Sequence, residues 1–257
     1  MNLYTSDYRA LGLWLLAAAL AAVAVLLPPL AQPQAYHDFA DQRACWGVPR
    51  CLDTASNALF VLAGAIGLLL MRRAGRVIFR ERREALPYRL LFLGAVLIGF
   101  GSGYYHLAPA NERLLWDRWA MMLAFMAWFA AIVGERVSPR AGLRLLPLFL
   151  AAGLGSVAWW GWSEAHGAGD LRFYLLVQLI PVLLVPLLLR LYPPRYSGDR
   201  AILAVIRLYL LSLLFDLGDR AVFEFTGSRV SGHTLKHVIA AAAVVVAALH
   251  LRRRRAL

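Results

Sequence analysis

Acidic residues are scarce in this 257-residue chain: 15 aspartates and glutamates stand against 27 basic residues, a formal net charge of +12. Charge of either sign is thin at 16% of residues, while 61% are hydrophobic. Soluble domains carry about 25% charge and about 45–50% apolar residues, so a soluble globular fold is excluded. With a mean hydropathy of +0.61 the chain reads as an integral membrane protein. In a soluble chain the basic excess would suggest nucleic acid. Here the arginines lie between apolar runs and read as loop charge that orients spans and meets anionic lipid headgroups, so no nucleic-acid partner is expected. Cysteine is almost absent. Cys45 and Cys51 share one loop with neither CxxC nor Cys–His zinc spacing, which makes them poor metal candidates. A disulfide between them and a pair of free thiols both stay open.

What the chain does have is apolar runs of membrane-spanning length. They lie near 11–30, 54–71, 88–106, 114–133, 145–160, 173–191, 202–215 and 233–251. About 20 residues of helix cross about 30 Å of hydrocarbon. The first run could be a signal peptide, but it is long for one and carries Pro28-Pro29, so a retained span is expected. Arginine-rich connections follow runs two, four, six and eight: Arg72 to Arg89, then Arg136 to Arg144, then Arg190 to Arg207, and finally Arg252 to Arg255. Four loops agreeing in this way put the basic side in the cytoplasm, with both termini inside. The expected fold is all-α, a polytopic transmembrane helix bundle.

Ionisable groups within such spans are costly and need a partner. Ser102 and His106 are four residues apart, one turn on one helix face, and His233 and His237 repeat that spacing far along the chain. The expected topology brings His106, Asp117, His233 and His237 to one membrane depth on the outer side. Three neutral imidazoles suit a tetrahedral Zn²⁺ that keeps a fourth position open. Asp117 is then the candidate proton carrier and Ser102 the candidate hydrogen-bond donor to a developing oxyanion. That chemistry suits hydrolysis of an amide or ester, and a substrate reaching this depth should be a lipid. Blander readings stand beside these. His106 could belong to an aromatic belt with Tyr104-Tyr105, and His233 and His237 could cap a helix. Ser102 lies in Gly99-Phe-Gly-Ser-Gly103, a small-residue packing face, and Asp117 could be an ion-paired interfacial carboxylate. Asp216 and Asp219 could orient imidazoles, but pairing with the adjacent Arg220 is the expectation. His37, His166 and His250 read as incidental.

Ser102-x3-His106, Asp117 and His233-x3-His237 together resemble the signature of the alkaline ceramidases, within a superfamily that includes membrane proteins of the adiponectin-receptor type. Asp53-Thr-Ala-Ser-Asn57 is similar to a motif that opens the family's first core helix. The resemblance spans about 36–251. It implies a seven-helix ceramidase-like core (36–257) preceded by one extra N-terminal span (1–35). It also implies zinc on His106, His233 and His237, with Ser102 and Asp117 catalytic. The implied activity is zinc-dependent hydrolysis of the N-acyl bond of a ceramide or related aminolipid. The family's acidic calcium site is not matched: the loop reads Asp41-Gln-Arg-Ala-Cys-Trp46, with Arg50 where a glutamate belongs, so calcium is not expected. The compact, Arg/Ala/Leu-rich chain looks like the bacterial branch, implying the inner membrane with the metal site facing the periplasm. The rival readings are a zinc-bearing lipid receptor with little turnover and a proton-relaying transporter. Clustering of the ionisable residues at one face, with none obvious at the midplane, argues against the transporter.

Overall fold

The computed structural model describes residues 8–257, with the side chains of 73–77 outside the description. Residues 1–7 of the expected first span region, and the Arg73 and Arg76 side chains of the second basic connection, therefore lie outside the described residues. No strand forms among those described.

The helices are α1 (Tyr8–Leu26), the short α2 (Cys51–Ala55), α3 (Ala58–Ile78), α4 (Ala85–Leu107), α5 (Asn111–Arg136), α6 (Pro139–Ala165), α7 (Arg172–Leu191), α8 (Asp199–Leu217), the short α9 (Asp219–Phe225) and α10 (Gly232–Arg253). Among the described residues seven of them are long and apolar enough to cross a membrane, and α8 with α9, bent by 77° at Gly218, brings the number to eight if the bent pair is counted as one span. The chain is a multi-pass membrane protein built as an all-α bundle.

Local chemistry sets the helix ends. Pro28-Pro29 follows α1 and Pro109 follows α4, where the missing N–H and the ring clash stop a helix. Ser138 caps α6, accepting a hydrogen bond from Ala141 N at 3.1 Å, with Pro139 at the first helical position. Ser231 caps α10 in the same way, accepting from Thr234 N at 2.9 Å.

α5 is the axis of the bundle: Met122, Ala127, Ala130 and Ile132 are fully buried. Its small side chains let α4 approach closely. A Cβ on Gly94 would lie 2.8 Å from the Ala124 backbone nitrogen, and one on Gly101 would lie 2.6 Å from the Trp116 carbonyl oxygen. The three-residue link 108–110 makes α4 and α5 an antiparallel hairpin, so the end of one and the start of the other share a depth. α1 lies along α7, held by Leu171 N donating to Leu30 O (2.8 Å) and by Arg172 to the carbonyls of Val25 and Leu27.

Several boundaries differ from the sequence expectation. α3 runs on to Ile78, so Arg72, Arg73 and Arg76 ride its last turns instead of a loop. α6 covers Pro139–Ala165, longer than the apolar run 145–160, because polar and basic residues extend both ends of the helix. α9 was not foreseen; seven residues after a sharp bend carry no period of their own. Cys45 and Cys51 form a disulfide with Cα atoms 5.6 Å apart, resolving the alternatives left open.

The two ends of the bundle are chemically distinct. At one end, buried Glu135 accepts from Tyr88 Oη (2.5 Å) and pairs with Arg254, Arg136 pairs with Asp199, and Tyr196 Oη donates to Glu84 (2.9 Å). His250 belongs to this end, 3.8 Å from Glu135. The other end gathers His106, Asp117, His233 and His237.

Candidate metal centre

His106 sits in the last turn of α4, while His233 and His237 occupy the first turns of α10. All three are buried, at 0%, 3% and 3% exposure. Their candidate ligand atoms lie within 4.8 Å of one another. Nε2 of His106 and Nε2 of His233 are 3.1 Å apart. Two nitrogens on a tetrahedral Zn²⁺, each about 2.0–2.1 Å from the ion, are separated by about 3.3 Å. The separation therefore fits ligands facing a shared cation.

The far sides of the rings support the same orientation. His233 Nδ1 meets a carboxylate oxygen of Asp216 at 2.7 Å, and His237 Nδ1 meets Ser56 Oγ at 2.8 Å. A carboxylate on Nδ1 fixes the proton there and turns the Nε2 lone pair inward, the usual arrangement behind metal-ligating histidines. Among the described residues His106 Nδ1 has no hydrogen-bond partner. The donor set is three neutral nitrogens in a buried pocket, which fits a divalent metal and gives no reason to prefer a hard, oxygen-seeking ion.

The start of α10 is locked in position by groups distant in sequence. Ser231 Oγ and Thr234 Oγ1 both donate to Asp53 Oδ1, at 2.8 and 2.5 Å. His233 N donates to Asp219 Oδ1 at 2.8 Å, and the other oxygen of Asp219 accepts from Ala40 N. A Cβ on Gly232 would meet the Phe215 carbonyl and lie 2.7 Å from Asp219 Cα. Only glycine allows α10 to begin against the α8–α9 bend, and that contact brings Asp216 and Asp219 to the histidines. Phe39 closes the site from the loop, its ring 4.7 Å from that of His106 and 4.4 Å from that of His233.

The expectation that Asp216 and Asp219 pair with Arg220 is corrected. Arg220 instead pairs with Asp38, 182 residues away, because the bend after Gly218 turns Arg220 outward. His37 is not incidental either: its ring bonds Tyr105 Oη (2.8 Å) and Asn111 Oδ1 (3.0 Å), anchoring the loop that carries Phe39. Asp38, Asp41 and Asp53 go to Arg220, Arg43 and the Ser231–Thr234 pair. Arg50 donates to the carbonyls of His106 (2.9 Å) and Leu107 (3.2 Å), capping the C-terminus of α4 directly below a candidate ligand.

Ser102 and Asp117 are both buried and line the same cavity. Asp117 forms no ion pair among the described residues, so the ion-paired reading does not hold. Gly99 and Gly101 do pack tightly against α3 and α5, as the small-residue face implies; Ser102 is set by that packing yet opens onto a cavity. This cavity, about 130 Å³, is lined by Ser102, Asp117, Lys236 and His237 with apolar walls that include Phe60 and Trp128. A second cavity, about 400 Å³, shares Asp117, Met121, Tyr209 and Lys236 with it. Both lie against the seam between α7 and α8, two helices that scarcely touch and are bridged by Tyr209 Oη donating to Gln178 Oε1 at 2.9 Å.

Lys236 was missed. It pairs with Asp216 at 3.0 Å, so one carboxylate serves both a histidine and this amine. Lys236 is the only lysine in the chain, inside an apolar span, and that was the available signal. Neither a family model nor a curated protein nor a solved structure matches this chain.

Proposed function

We propose that the protein is a zinc-dependent lipid amide hydrolase of ceramidase-like type, acting at one face of the bilayer. The observation that carries this reading is the inward-facing His106–His233–His237 set beside a cavity that also holds Asp117. Zinc held by these residues supplies a Lewis acid and an activated water near neutral pH. Asp117, buried and without a cationic partner, takes up a proton and delivers it to the leaving amine. Ser102, on the wall of the same cavity, offers its hydroxyl to the oxygen where charge develops. The apolar cavity walls receive an acyl chain, and the loose α7–α8 seam is its route from the membrane. The arginine-rich connections support a cytoplasmic location for the opposite end, so the site faces outward across a cell membrane.

The test is metal content and turnover on N-acyl lipids for wild type, His237→Ala and Asp117→Asn. His237→Ala loses both metal and activity. Asp117→Asn keeps the metal and loses at least 100-fold in rate, within the ~10²–10⁴ typical of a proton-transfer group. Zinc-loaded Asp117→Asn with an unchanged rate on lipid amides would transfer the reading to a zinc-bearing lipid receptor.

A further inference from the structure

Arg118 follows Asp117 in sequence and, like it, lines the second cavity. It is 4% exposed, and among the described residues no carboxylate lies within salt-bridge distance of it. Its Nη2 donates to a neutral acceptor, Gln32 Oε1, at 2.5 Å, and its Nη1 has no hydrogen-bond partner among the described residues. The guanidinium lies over Trp160 at 4.0 Å and Tyr174 at 4.6 Å, so its position is fixed before anything binds. A buried cation without a counter-ion is strongly unfavourable, and a planar guanidinium is the side chain best shaped for carboxylate or phosphate. The rest of the cavity does not supply that anion. Lys236 and Asp216 neutralise each other, and Asp117, which lines the same cavity, forms no ion pair with Arg118 among the described residues.

We propose that this second cavity is a headgroup site for an anionic group, a carboxylate, phosphate or sulfonate, on the amide lipid, with Arg118 as its counter-ion. This rests on the hydrolase reading above and narrows it: the preferred substrate is an acidic amide lipid. Its acyl chain occupies the first cavity, its amide sits at the shared border near Asp117, and its charged end reaches Arg118 and Gln178. A neutral headgroup leaves the guanidinium uncompensated.

The experiment compares binding of two lipids with one acyl chain and one amide, N-palmitoylglycine and neutral N-palmitoylethanolamine, to the purified full-length protein in neutral detergent. Wild type should favour the acidic lipid by about 10- to 100-fold, the range of a hydrogen bond to a charged group. Arg118→Gln should abolish the preference and Arg118→Lys keep part of it, with zinc content equal to wild type in both. Equal binding of the two lipids by wild type, or a preference surviving in Arg118→Gln, overturns the proposal, and the first of these needs no variant to fold. Displacement of N-palmitoylglycine by millimolar inorganic phosphate assigns the site to free anions and overturns the headgroup. Zinc-dependent hydrolysis without any acidic preference sinks this inference and leaves the hydrolase reading standing. An Arg118-dependent preference without turnover does the reverse.

Discussion

The carboxylate of Asp216 bridges His233 and Lys236, one oxygen 2.7 Å from the imidazole Nδ1 and the other 3.0 Å from the lysine amine. It joins a candidate metal ligand to a cation at the border of both cavities. Asp216→Asn keeps the shape but lets the His233 proton move between nitrogens. Its affinity for zinc should fall about 10- to 100-fold, the usual cost of losing a partner behind a metal-bound histidine. Competition against a fluorescent zinc chelator measures this, and unchanged affinity would remove Asp216 from the site.

Gly101 sets the approach of α4 to α5 and with it the meeting of Ser102 and Asp117. In Gly101→Ala the new methyl would lie 2.6 Å from the Trp116 carbonyl, a backbone atom that cannot step aside. The helices must separate, at about 1–3 kcal/mol for overpacking. Thermal unfolding should show a lower Tm together with lost activity. Gly155→Ala, on α6 with nothing within 4 Å of the new methyl, is the control and should leave both unchanged.

The opposite end of the bundle should affect stability without affecting metal. Glu135 is 4% exposed and satisfies Tyr88 and Arg254 together. Glu135→Leu strands the Arg254 cation, a change that costs about 3–5 kcal/mol. Since α10 alone puts about 30 Å between the two ends, the zinc content of the folded fraction should equal wild type. A variant that loses zinc while keeping its Tm would contradict this separation.

Asp170 offers a prediction in pH. The Arg172 guanidinium beside it holds its carboxyl down to about 2, against a smaller opposing push from burial. A carboxylate lowered by folding stabilises fully above its unfolded value, about 3.9, and loses that contribution as the pH falls through the folded one. Asp170→Asn should therefore lower Tm at pH 5–7, with the gap to wild type closing between pH 4 and pH 2. A gap that stays constant to pH 2 would contradict the pairing.

The histidine set was legible because both halves carry the i, i+4 spacing of one helix face, and because charged loops alternate strictly enough to give each helix a direction. Asp117 followed from that direction. What stayed hidden depends on contacts without a local period. The Gly218 bend carries Asp216 and Asp219 to His233 and sends Arg220 to Asp38, whereas closeness in sequence favoured Arg220. Phe39 and Ser56 enter the site from a loop and a helix corner, where hydrophobic periodicity has nothing to report. The arginines at the end of α3 resembled a loop because charge marks membrane boundaries; a helix can cross that boundary and continue in water.

Metal analysis joined to X-ray absorption tests the central claim most directly. Purified protein should carry one zinc per chain, with three imidazole nitrogens at about 2.0–2.1 Å and one further light-atom ligand. Replacement of His106, His233 or His237 by alanine should each remove the metal. Folded wild-type protein that neither carries zinc nor gains it on titration would contradict the account.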